Sequence, residues 1–333
     1  MRKIYSFNTQ LYKVTGVEKV MMTIHRALLD VYESRIVGLS SYSKVCPSHG
    51  IREDEYIRFY NPFMFYRSIV IIHERKLLPF FWILNNIFFQ KIKLVYVHHS
   101  ILYGKYWISP MPNVVVAIAD RGVKNLIEYF KVPKDNIHKI HNCVKDEIAN
   151  VGQSTQNENV TVLYPGRINA GKRQKEIVKQ LRGKLDYRVR ILFAGDGPQY
   201  EEFKEMLAGD KQFVPLGFVD NLSDLMRQCD YVMLFSTHEG LPISLIEATM
   251  CGIPIVCNDV GGNTEIAKNG ENAYVSFEPD NWNWLCETLN SLPSVDKQRY
   301  QSMSANSRAI YEKYFTFDVF KNKYLTLMKS LEN

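Results

Sequence analysis

Six cysteines in 333 residues, with no C-x-x-C spacing among them, are too few and too scattered for a secreted disulfide framework. Cys46, Cys143, Cys229, Cys251, Cys257 and Cys286 are instead expected to be buried thiols of a cytosolic chain. Only 18 glycines and 13 prolines are present, which excludes a collagenous or low-complexity protein, and no internal repeat is found. No apolar run reaches the roughly 20 residues of a membrane-spanning helix. The strongest candidate, LLPFFWILNNIFF at residues 77–89, spans 13 residues and is broken by Asn85 and Asn86. The sequence opens Met1-Arg2-Lys3 and passes directly into a strand-like run, so no signal peptide is expected.

What the sequence has is size, aromatic residues and an uneven charge. A chain of 333 residues exceeds what one core usually fills, so two domains of about 150 residues are expected. Hydrophobic residues at 46% and charged residues at 23% fit an ordinary globular protein. The net charge of +6 is concentrated early: residues 1–150 carry 21 Lys and Arg against 12 Asp and Glu, and the remainder 20 against 23. A basic first half suits an anionic partner such as a phosphate-rich lipid surface, and equally suits a solvated Lys-rich face. The 77–89 stretch, with Arg75, Lys76, Lys91 and Lys93 beside it, has two readings: a core helix of the first domain, or a helix lying on an anionic membrane surface.

Short apolar, β-branched runs at residues 3–7, 93–98, 114–119, 160–164, 190–194, 231–235, 253–257 and 273–277 alternate with helical stretches at 17–32, 120–130, 174–185, 199–207 and 244–250. That alternation is the mark of βαβ units in parallel sheets. The polar stretch 145–159 reads as an interdomain linker. Residues 315–331 place Phe317, Phe320, Tyr324, Leu327, Met328 and Leu331 at helical spacing, which predicts a terminal amphipathic helix.

Three segments of the second half carry chemistry. In YVMLFSTHEGLPISLIEATMCGIPIV (231–256) a strand gives way to Glu239-Gly240-Leu241, and Pro242 is suited to open a helix running through Ile243 and Ser244. Unpaired N–H groups at such a start, with the helix dipole behind them, favour a phosphate, and Gly240 puts no side chain in its way. Glu239 in the loop and Glu247 inside the helix are candidates for ligand and ribose-diol contacts. In LYPGRINAGKRQK (163–175), Arg167, Lys172 and Arg173 sit where a parallel strand ends, the edge at which open α/β sheets bind ligands. In FAGDGP (193–198) the Gly195-Asp196-Gly197 turn lacks the third glycine of a dinucleotide fingerprint, so it reads as a tight turn closing a βα unit.

GRINAGKRQ, FAGDGP, LGFVDN, CDYVMLFSTHEGLPISLIEATMCGIPIV and NDVGGNTEI, in that order, resemble the retaining glycosyltransferases of the GT-B fold, the large family 4 or "glycosyl transferases group 1" type. The resemblance is strong over residues 161–275 and faint in the first half. It implies an α/β protein of two facing Rossmann-like domains with the active site in the cleft and a terminal helix crossing back. Residues 1–150 with helix 315–333 would form the acceptor-binding domain, and residues 158–314 the nucleotide-sugar donor domain.

The resemblance assigns the donor diphosphate to Arg167 and Lys172, the donor sugar and phosphate to Glu239, the ribose to Glu247, and the nucleobase to backbone around Phe218 and Val219. In the first half it implies a glycine-rich loop, where TGVEK offers only Gly16, and a strand-end histidine, where VYVHHS offers both His98 and His99. Asn142 stands where relatives often have Asn-Gly, with Cys143 in place of the glycine. No D-x-D pair stands out, so neither metal nor other cofactor is expected, and no nucleic-acid partner is implied. The expected activity is hexosyl transfer from a nucleoside diphosphate sugar, a UDP-sugar by preference, to a glycan or lipid-linked acceptor in bacterial surface-polysaccharide synthesis. Such an enzyme would be cytoplasmic or peripheral on the inner membrane face. The alternatives are a sugar-nucleotide epimerase on the same scaffold and a non-catalytic nucleotide-sugar-binding subunit.

Overall fold

The computed structural model describes residues 2–13, 15–104, 106–146 and 159–332. They fall into two compact units, Met1–Cys143 with Phe317–Asn333, and Val144–Thr316. The polar stretch read as a linker lies almost wholly outside the described residues.

The first unit is built on seven strands: β1 (Ile4–Phe7), β2 (Ser34–Gly38), β3 (Tyr56–Arg58), β4 (Ile69–Ile72), β5 (Lys93–His98), β6 (Val114–Ala117) and β7 (Ile137–Lys139). Their order is β3-β2-β1-β4-β5-β6-β7, with every pairing parallel. The central strands are buried throughout, as unbroken runs such as Ile69–Ile72 require in a sheet covered on both faces. Helices α1 (Gly16–Leu29), α2 (Leu78–Asn86) and α3 (Asp120–Glu128) connect them. Thr15 and Glu18 form a capping box that fixes where α1 begins.

The second unit holds β8 (Val160–Pro165), β9 (Val189–Ala194), β10 (Phe213–Gly217), β11 (Tyr231–Leu234), β12 (Ile255–Asn258) and β13 (Ala273–Ser276). They lie in the order β10-β9-β8-β11-β12-β13, again all parallel. The helices are α4 (Gln174–Leu181), α5 (Tyr200–Met206), α6 (Leu222–Met226), α7 (Ile243–Met250), α8 (Asn263–Ile266), α9 (Trp282–Ser291) and α10 (Lys297–Tyr314). The long α10 packs on α7 and buries Tyr300, Met303, Ser307 and Tyr311. The last helix, α11 (Phe317–Glu332), belongs to the first unit, where Phe320, Tyr324, Leu327, Met328 and Leu331 are buried and the helix packs on α1.

Two expectations need correcting. Of the six cysteines, all of them free, Cys46 and Cys286 are only half-buried. Residues 77–89 form a core helix on one face only: α2 sends Leu78, Phe81 and Leu84 into the hydrophobic core of the first unit and leaves Trp82 and Ile83 exposed. Among the described residues, no helix is long and apolar enough to cross a membrane.

Candidate functional site

In the second sheet the chain winds outward from β8 through β9 to β10, then returns to the other side of β8 as β11. Connections leaving β8 and β11 therefore diverge, and a crevice opens at the carboxyl ends of these two strands, where open α/β sheets take their ligands. Lys172 and Glu239 stand in the two loops that flank it, and their side chains meet: Lys172 Nζ lies 2.6 Å from Glu239 Oε1. The side chains are 21% and 9% exposed, so the ion pair sits at the rim rather than in bulk water.

Each loop is held by buried polar groups. After β8, Asn169 caps the short turn Ala170–Lys172, accepting from the Lys172 N–H at 3.0 Å. The buried Gln174 amide donates to the Arg167 carbonyl at 3.1 Å. Tyr164 joins the loops: its hydroxyl donates to the Lys172 carbonyl at 2.5 Å and accepts from the Phe235 N–H at 3.2 Å. Burial pushes this phenol well above its ordinary pKa, so the donor proton is retained. After β11, Asn258 accepts from the Ser236 N–H at 3.2 Å and donates to its carbonyl at 2.8 Å. The Glu239 backbone runs so close to Gly261 that a Cβ there would lie 2.2 Å from the Glu239 carbonyl oxygen. The Gly262 N–H then donates to the Gly240 carbonyl at 2.6 Å. The 195–198 turn packs as closely, a Cβ on Gly195 falling 2.2 Å from the Gly166 oxygen.

Helix α7 starts at the same edge. Pro242 is its N-cap, not its first residue, and supplies no side-chain oxygen to the first-turn N–H groups. Leu241 is buried, while Gly240, Ile243, Ser244 and Glu247 are half-buried. The three cations of the β8 loop separate. Arg167 is exposed and Lys172 meets Glu239, but Arg173 takes left-handed backbone (φ 61°) and turns inward. Its guanidinium lies 4.4 Å over the Trp282 ring and pairs with Glu176 and Asp280, each at 2.7 Å. Arg173, read from sequence as a phosphate ligand candidate, is therefore a strut between the β8 loop and the residues that precede α9. Phe218, 74% exposed, and the half-buried Val219 follow the edge strand β10.

In the first unit the sheet reverses between β1 and β4. Gly16 opens α1, and nothing lies within 4 Å of where its Cβ would stand. The adjacent carboxylate is the chain's own: Glu18 accepts from the Thr15 N–H at 3.0 Å and from the Asn8 amide at 3.3 Å. The two histidines left open by sequence have different surroundings. His98 is fully buried with Nε2 3.0 Å from Asn125 Oδ1, and burial pushes it down to about 4. His99 is half-buried, stacks on His73, and places Nε2 2.8 Å from His73 Nδ1. Burial, with His98 nearby, pushes His99 down to about 3, and burial and His99 lower His73 as well. One neutral ring therefore donates to the other.

His73, Glu74, Tyr164 and Asn258 were not singled out from sequence. Glu74 accepts from the Thr9 N–H at 2.5 Å and pairs with Lys76 at 2.7 Å, tying the β1 and β4 loops. A signal existed for His73: it ends the apolar run 69–72 as His98 ends 94–97. Among the described residues, no group of three or more His, Cys, Asp or Glu is placed to hold a metal ion.

Comparison with known proteins fits this geometry. Residues 144–309 match the model of the family described as "Glycosyl transferases group 1". An N-acetyl-alpha-D-glucosaminyl L-malate synthase from Bacillus anthracis is 24% identical over 216 residues, covering 61% of this chain and 56% of that protein. An O-antigen biosynthesis glycosyltransferase, WbnH, from Escherichia coli is 25% identical over 235 residues, 67% of each. The matched part of the chain thus spans between half and two thirds of these relatives' lengths. Among solved structures, Anabaena Alr3699/HepE in complex with UDP superposes with a TM-score of 0.84 at 18% identity, covering 99% of this chain and 100% of that one. The same protein was also crystallised with UDP-glucose. That likeness is one of fold, two Rossmann-like units of the GT-B type. Through residues 144–309, the chain belongs to the group 1 glycosyltransferases.

Proposed function

We propose that the protein transfers a hexose from a nucleoside diphosphate sugar, with UDP as the nucleotide, to a hydroxyl of a glycan or lipid-linked acceptor in surface-polysaccharide synthesis, with retention at the anomeric carbon. The observation that carries this reading is the meeting of Lys172, Glu239 and the start of α7 at the switch point of the second sheet. The UDP and UDP-glucose held by Alr3699/HepE support the choice of donor.

Breaking the bond between the sugar and the diphosphate leaves negative charge on the departing phosphate. Lys172, Arg167 and the first-turn N–H groups of α7 are the groups proposed to stabilise that charge as it grows, fixed before it appears. Glu239 keeps the Lys172 ammonium at the rim until a phosphate competes for it. Glu247 takes the ribose diol, and backbone at Phe218 and Val219 meets the base. In the same-face mechanism the leaving phosphate oxygen accepts the acceptor's proton, so no protein nucleophile is assigned. The two cations stand in for a divalent metal, and turnover is expected to survive EDTA. In the first unit, His99 rather than the sequestered His98 is the strand-end histidine proposed to reach a ligand, alongside Gly16.

Release of UDP from UDP-sugars, with and without acceptor, tests the reading. Arg167→Ala and Lys172→Ala are each expected to lower turnover about 10²-fold with the fold intact. Near-normal rates in both variants overturn the assignment.

A further inference from the structure

We infer that the first unit docks on an anionic lipid bilayer through the tip that follows α2. Beyond its three buried residues, this segment turns its largest side chains to solvent: Trp82 is 48% exposed, Phe88 51% and Phe89 73%, with Ile83 and Ile87 beside them. Phe63, also exposed, comes from the neighbouring turn and meets the Phe88 ring edge-on at 6.0 Å. Two separate segments thus build one apolar knob, of a kind that isolated surface residues do not make.

The knob is held in place. Asn85 donates to the Ile92 carbonyl and accepts from the Ile92 N–H, both at 2.8 Å, closing the turn between them. The Arg67 N–H donates to the Gln90 carbonyl at 2.9 Å, fastening the Phe63 segment alongside. Arg67, Phe89 and Lys91 all adopt left-handed backbone, with φ of 55°, 50° and 55°, a conformation that side-chain-bearing residues rarely take.

Charge identifies the occupant. Residues 56–119 contain seven Lys and Arg against one acid, Glu74, and that carboxylate is already bound to Lys76 and Thr9. Arg67 and Lys91 are exposed at the foot of the knob. Aromatic and aliphatic side chains rimmed by exposed cations suit the boundary between headgroups and acyl chains of an anionic leaflet. The inference holds whichever sugar is transferred, because lipid binding requires no turnover.

The test is flotation of the full chain with phosphatidylcholine vesicles containing about one-third phosphatidylglycerol, against phosphatidylcholine alone. The wild type is expected to float with the anionic vesicles, to stay behind with the neutral ones, and to be released by salt. Phe88→Ser with Phe89→Ser, and separately Arg67→Glu with Lys91→Glu, are each expected to weaken binding at least about ten-fold. Both pairs are exposed, and unchanged circular dichroism and Tm separate lost binding from lost folding. Wild type that ignores anionic vesicles, variants that bind as it does, or lipid-independent self-association abolished by Phe89→Ser would each overturn the inference.

Discussion

Replacing Gly261 by alanine perturbs the candidate site through one carbon atom. Two costs follow from the geometry. Its backbone is left-handed, φ 59°, which a Cβ disfavours by about 1–2 kcal/mol. The Cβ would also stand 2.2 Å from the Glu239 carbonyl oxygen, so one strand of backbone must yield, at about 1–3 kcal/mol. Gly270→Ala isolates the first cost: its φ is 78° and nothing lies within 4 Å of the added carbon. Gly270 precedes β13, at the edge of the sheet away from the ligand crevice. For a unit of this size each kcal/mol lowers Tm by about 2–4 °C, so Gly261→Ala is expected to drop it by about 10 °C and Gly270→Ala by about 4 °C. Scanning calorimetry with and without UDP makes the measurement, because a nucleotide at 100 times its Kd adds about 2.7 kcal/mol to stability. Gly261→Ala should lose most of that gain, since the displaced carbonyl belongs to the residue that meets Lys172, while Gly270→Ala should keep it. Equal Tm losses, or a full UDP response in Gly261→Ala, would refute the claim that this contact positions Glu239.

Other expectations concern single groups. Arg173→Ala removes a guanidinium that is 6% exposed, with its packing on Trp282 and its bond to the Pro279 carbonyl, while the Glu176 and Asp280 carboxylates it leaves are open to water; a loss of about 1–2 kcal/mol in urea unfolding is expected, with UDP affinity unchanged in the folded fraction. A variant as stable as wild type that no longer binds UDP would return Arg173 to the site. His98, held neutral down to about 4, makes stability depend on pH. Its folded value lies below the unfolded one, so its contribution is complete above about pH 6.5 and is lost as pH falls toward 4, about 3 kcal/mol in all. Urea midpoints measured across that window should fall less steeply in His98→Gln than in wild type, the slope that remains coming from His73 and His99, which burial also lowers. EDTA should leave UDP release from a UDP-sugar unchanged, and a rate restored only by added divalent ion would count against cations acting in a metal's place.

Strand and helix alternation was legible where burial on both faces forces long β-branched runs, as in β5 and β9. It was missed where other rules dominate. Pro215 interrupts β10, but β10 is an edge strand, where a missing N–H costs little. β4 is only four residues, too short for its apolar run to be told from a helix segment. α10 is polar over most of its surface, with four buried residues in 18. At the site, the positions of Lys172 and Glu239 in loops that follow strands, and of Glu247 about one turn inside α7, were readable from the order of strand, glycine and proline. The opposite fates of Arg167 and Arg173 were not, since what turns Arg173 inward is Trp282, more than a hundred residues later. His98 and His99 could be separated only by seeing which ring Asn125 and His73 take.

The return of α11 to the first unit sets an order on assembly. Residues 144–316 are one uninterrupted stretch and can finish folding as soon as they leave the ribosome. The earlier unit must wait, its surface on α1 uncovered, until residues 317–332 emerge and dock. A truncation at the far end of the chain would therefore injure the part that was translated first.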